Sequence, residues 1–92
     1  MNEHSNRNRE NIVSALELPK DILLGFATMS LIGNRELIIE NHKGILFFDS
    51  GQAVVLSKMF QIVVDGKNLL VPIFTDDMLK ITGTIDSITF RP

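Results

Sequence analysis

Turn-forming clusters recur about every eight residues from position 33 onward, and the apolar residues between them follow a period of two. The clusters are "GN" at 33–34, "NHKG" at 41–44, "DSG" at 49–51, "DGKN" at 65–68, "TDD" at 75–77 and "TGT" at 82–84. Such spacing leaves no room for the crossover helices that parallel strands require, so neighbouring strands are expected to run antiparallel through hairpins. The reading is a mainly β chain. An antiparallel meander of about eight strands is expected at roughly 28–32, 35–40, 45–49, 52–57, 60–65, 68–74, 78–82 and 84–90, closing into a small sandwich or a rolled barrel.

The "DGKN" stretch reads as the clearest hairpin, with Asp65-Gly66 supplying positive φ between "FQIVV" and "LLVPIF". Pro72 has no amide hydrogen, which places its strand at an edge, at a bulge, or with that position turned from the ladder. In the last strand Ile88 and Phe90 agree in parity while Ile85 does not, so a bulge or bend is expected near Asp86-Ser87.

Alternation assigns faces. Phe60, Ile62 and Val64 oppose Gln61 and Val63; Leu69, Val71 and Ile73 oppose Leu70, Pro72 and Phe74; Ile45 and Phe47 oppose Leu46 and Phe48. Several strands are therefore apolar on both sides, and two apolar faces need two covers. One face closes on the rest of the meander. The other is expected to take the N-terminal helix or a second subunit, with Leu46, Phe48, Leu70 and Phe74 as the candidate apolar interface.

Residues 1–18 read as a polar N-terminal segment. Ile12, Val13 and Leu16 share one side at helical spacing and Pro19 stops the pattern, which predicts a short helix ahead of a single β domain over 19–92. The start "MNEHSNRNRE" has no apolar core of a secretory signal, and the most apolar stretch, 22–33, contains Thr28, Ser30 and two glycines, short of a membrane span. The expectation is a soluble chain, at most peripheral to a membrane.

At 92 residues, 45% apolar and 22% charged, the chain has the balance of one small packed domain. Its net charge of −2 argues against broad binding to nucleic acid, which needs a basic face. The absence of cysteine removes disulfides, thiolate nucleophiles and cysteine-held metals.

Catalytic motifs are sparse. Neither a paired-histidine zinc motif nor a phosphate-binding glycine loop occurs, so no cofactor or metal is expected. A serine triad could draw only on Ser50, Ser57 or Ser87 with His42 and Glu40 or Asp49, a combination almost any domain permits. Asp76-Asp77 beside Thr75 reads as turn chemistry. The polar run Glu40, Asn41, His42, Lys43 and Gly44 reads first as a solvated hairpin elbow, with Asn41 suited to left-handed backbone, and second as a recognition loop.

"LELPKDI", "LIGNRELIIENHKGI", "GKNL" and "MLKITGTIDSITF", in that order, resemble the YabP/YqfC family of bacterial sporulation proteins, in its YqfC branch. The resemblance spans about residues 16–90 and is most specific at Leu18-Pro19-Lys20-Asp21 and Ile39-Glu40-Asn41-His42-Lys43-Gly44. It implies a small non-enzymatic protein of endospore-forming Firmicutes, in the mother-cell cytoplasm. It also implies a membrane-anchored YqfD-like sporulation protein as partner, encoded beside it, and brings no catalytic residues. Together these readings give a β-rich assembly or partner-docking module, self-associating or held at a membrane through its partner. The alternative is a small-ligand or carbohydrate-binding domain using the 40–44 loop.

Overall fold

A computed structural model describes residues 25–92; the expected N-terminal helix lies outside the described residues. Six strands follow one another: β1 (Thr28–Ile32), β2 (Glu36–Glu40), β3 (Gly44–Phe48), β4 (Gln52–Leu56), β5 (Gln61–Phe74) and β6 (Met78–Arg91). They form one antiparallel sheet in the order β1-β2-β6-β5-β4-β3. The mainly β, antiparallel expectation holds, and four of the six strands fall within a residue of the predicted bounds.

The other predicted strands merge. β5 and β6 are each 14 residues long and run through the "DGKN" and "TGT" positions without reversing. No hairpin forms at Asp65-Gly66, and Gly66 is not among the residues with positive φ; Asn68 and Gly83 are, at 54° and 134°. Glycine serves a different need there. A Cβ on Gly66 would meet the Thr84 carbonyl oxygen at 2.1 Å, and one on Gly83 would meet that of Asn68 at 2.7 Å, so the two backbones approach where only glycine fits.

Register shifts mark the same stretch. Asp65 pairs with Ser87 but Gly66 with Ile85, which leaves Asp86 as the extra residue, the bulge that side-chain parity predicted. Two further shifts insert extra residues into β5 between Lys67 and Leu70 and between Leu70 and Ile73. Bulges bend strands and increase their twist, and the hairpin turns brace the bent region from either side. The β3–β4 turn accepts hydrogen bonds from β5, Gly66 N–H to Gly51 O at 3.0 Å and Leu69 N–H to Ser50 O at 2.9 Å. The β1–β2 turn accepts from β6, Gly83 N–H to Arg35 O at 3.2 Å and Ile85 N–H to Asn34 O at 2.7 Å.

The bends fold the sheet over its own core. Leu37 and Ile39 of β2 share one buried cluster with Ala53 and Val55 of β4, although β2 and β4 are not neighbours in the sheet. All four side chains are fully buried in that cluster. Ile62, Val64 and Leu69 of β5 with Leu79, Ile81 and Ile85 of β6 complete the cluster. The two halves share the long β5–β6 ribbon. β2 pairs with the first part of β6, and β4 with the first part of β5, so residues 70–74 of β5 have β6 as their one ladder partner. Pro72 therefore stands on an edge, one of the positions its missing donor allows.

Candidate functional site

The 40–44 run is not a hairpin elbow. β2 and β3 lie far apart in the sheet order, so the run is a crossover from one half of the fold to the other. Asn41 makes the corner with φ 62°, which an asparagine tolerates better than most residues. Its N–H donates to the Asp77 carbonyl at 2.6 Å and its Nδ2 donates to the Phe26 carbonyl at 3.2 Å. Lys43 N–H donates to the Leu56 carbonyl at 2.8 Å. The short polar segment thus ties together the entry to β1, the end of β4 and the β5–β6 turn.

His42 is at the centre, buried to 5% exposure instead of solvated. Its Nδ1 accepts the Gly44 N–H at 2.9 Å, so the ring hydrogen sits on Nε2, which donates to the Thr75 carbonyl at 2.7 Å. Its ring also packs against that of Phe74, with centroids 5.2 Å apart. Both nitrogens are engaged by backbone, leaving neither free to take a proton from a nucleophile or to ligate a metal. Glu40 and Lys43 point outward.

Three of the remaining triad candidates are occupied as well. Asp49 Oδ1 accepts from the Gly51 and Gln52 amides at 2.8 Å each, closing the β3–β4 turn. Ser57 Oγ donates to the Phe60 carbonyl, and Ser87 Oγ lies 3.4 Å from Asp65 Oδ2. Thr75 Oγ1 lies 3.0 Å from Asp77 Oδ1 and accepts from the Met78 amide at 3.1 Å, the turn chemistry expected of that cluster. No group of three or more histidine, aspartate or glutamate side chains gathers in metal-holding geometry among the described residues.

The four apolar candidates are all exposed, Leu46 at 58%, Phe48 at 40%, Leu70 at 64% and Phe74 at 53%, but they do not share one face. Leu46 is the extra residue of a bulge in β3, since Ile45 pairs with Val55 and Phe47 with Val54. The bulge puts Ile45 and Phe47 on opposite faces, against the simple alternation expected. The β5 bulge likewise puts Leu70, opposite Thr82, and Phe74, opposite Leu79, on different sides. Ile73 moves to the outer face with Lys80, so Phe47 and Ile73 join the exposed set that strict parity had hidden.

What gathers these side chains is an edge. β3 and residues 70–74 of β5 are drawn together at one end by the His42–Thr75 bond and at the other by Leu69 to Ser50, yet they form no ladder. No Cα atoms of β3 and β5 come within 8 Å of each other. Between the two pinned ends lies an open seam flanked by two edge strands. A shallow depression of about 370 Å³ sits at its His42 end, lined by Lys43, Gly44, Phe74 and Asp76 among others.

The arrangement defines a small antiparallel β domain whose most conspicuous polar cluster is a structural clasp and whose apolar side chains collect along open edges. Within that class the affiliation is clear: the YabP family model matches residues 26–92, and the chain belongs to the YabP family. It is 28% identical over 90 residues to the Bacillus subtilis (strain 168) protein YqfC, described as uncharacterized, across 98% of this chain and 97% of that one. No solved structure matches it. No helix among the described residues is long and apolar enough to cross a membrane.

Proposed function

We propose that this protein is a non-enzymatic docking module of spore formation, working in the mother-cell cytoplasm and holding a membrane-anchored YqfD-like partner along the β3/β5 seam. The observation that carries the reading is the pair of open edges with Leu46, Phe47, Phe48, Leu70, Ile73 and Phe74 exposed along them. Unpaired strand edges bind extended chains through backbone hydrogen bonds, and apolar side chains beside them add area to the contact. The sporulation context comes from the family and from the likeness to YqfC.

The test uses the full chain and the detergent-solubilised YqfD-like protein of the same organism. Phe48→Lys with Leu70→Lys changes exposed positions, so the fold should persist while affinity falls at least tenfold. A wild-type chain that stays monomeric in light scattering and leaves the partner unbound overturns the proposal. The depression at His42 supports a second reading, in which it holds a small ligand such as a cell-wall saccharide. A thermal shift with such fragments, lost on Lys43→Ala, would favour it.

A further inference from the structure

Val54 of β4 and Val63 of β5 are directly opposite each other in the ladder, on the face turned away from the core that holds Val55 and Ile62. Their neighbours in the same row are Phe47 on one side and Thr89 on the other, both exposed. A valine on a bare outer face keeps its methyl groups in water. Val54 is nevertheless 3% exposed and Val63 5%. Neither belongs to the core cluster, which lies on the opposite face.

We infer that the outer face of β4 and β5 is the docking surface for the chain's own N-terminal segment, with Ile12, Val13 and Leu16 seated over Val54 and Val63. The place where the described chain begins supports this occupant. Gly25 stands so close to the Lys58 side chain that an added Cβ would meet its Nζ at 2.2 Å, and Lys58 Nζ lies 5.9 Å from the Phe26 ring centroid. Lys58 belongs to the β4–β5 turn, so the described chain begins beside the end of these two strands. The stretch between Leu16 and Gly25 can reach about 30 Å at roughly 3.3 Å per residue, well beyond the length of β4.

The chemistry agrees with the geometry. Leu56 and Phe47 extend the apolar centre, while Gln52, Gln61 and Arg91 border it, a narrow greasy strip with a polar rim. The segment offers the complement, a narrow apolar stripe bordered by Arg9, Glu10 and Glu17. This surface is the outer face of β4 and β5; it shares Phe47 with the β3/β5 seam, but Val54 and Val63 lie outside the seam, so their cover is decided separately from the docking function.

The chain has no cysteine, so a single nitroxide can be placed at Ser14→Cys, on the polar side of the stripe, in the full-length ¹⁵N-labelled protein. The amide signals of Val54, Val63 and Thr89 should lose more than half their intensity, while those of Ser30 and Ile38, on the outer face of the other half, should keep theirs. Leu16→Asp in the same labelled chain should restore the lost signals. Unchanged signals at Val54 and Val63 overturn the inference. So does broadening that appears when spin-labelled ¹⁴N protein is mixed with unlabelled ¹⁵N protein, because the cover is then a second copy.

Discussion

His42, in the crossover between the two halves of the sheet, donates from Nε2 to the carbonyl oxygen of Thr75 in the β5–β6 turn at 2.7 Å. The bond spans 33 residues of sequence and closes one end of the seam. His42→Ala leaves the Thr75 carbonyl and the Gly44 amide without their partner, an expected cost of about 2 kcal/mol. Glu40→Ala and Lys43→Ala, at exposed positions, should stay within about 0.5 kcal/mol of the parent. Urea midpoints at unchanged slope measure the difference. Equal, small losses for all three would contradict the clasp. The result also bears on any ligand screen, since lost binding in a His42 variant would report unfolding as readily as a lost contact.

How much of this was legible in the sequence depends on what each residue signals. The period of two, Pro72 at an edge, the left-handed Asn41 and the Asp86 bulge each follow from a residue's own backbone or parity, and each appears in the structure. The long strands did not. "DGKN" carries every local mark of a hairpin, and the choice between a reversal and a bulge is made by Thr84 and Gly83 on the facing strand, outside any local window. The burial of His42 was hidden for the same reason: its partner Thr75 comes from a distant turn.

Gly66 offers a sharp test of that distinction. In a hairpin with positive φ, an alanine there costs about 1 kcal/mol from backbone strain. In the observed bend the new Cβ overlaps the Thr84 carbonyl oxygen, which must move with its strand, so Gly66→Ala should cost about 3 kcal/mol or prevent folding. Gly33→Ala is the control, because nothing lies within 4 Å of its added Cβ and φ 53° is its one penalty. Thermal unfolding of the two variants side by side decides it. A Gly66 variant no worse than the Gly33 variant would restore the hairpin.

The two faces of β5 should respond differently from an ordinary one-sided strand. Ile62→Ala removes core volume and should cost between about 2 and 5 kcal/mol. Gln61→Ala, half-buried at the rim, should cost less than about 1 kcal/mol. Val63→Ala separates the covered outer face from a bare one. With its side chain buried the expected loss is about 2 kcal/mol, whereas a solvated valine would cost a few tenths. Denaturant titration of the three variants checks the order.

Phe60 and Phe90 close the end of the sheet opposite the bends. Ile62 and Phe90 are ladder partners, and the Phe60 ring meets that of Phe90 edge to face, with centroids 5.0 Å apart at 81°. Phe90 is largely exposed, so area alone gives it a small share in stability, and the aromatic geometry has to supply the rest. A double-mutant cycle with Phe60→Leu and Phe90→Leu keeps most of the apolar volume while removing the ring pair. The coupling energy should lie between about 0.5 and 1.5 kcal/mol. Strict additivity would mean that the rings are neighbours without an energetic bond, and that the C-terminal half of β6 is held by its backbone ladder to β5 and by the core contacts of Ile85 and Ile88.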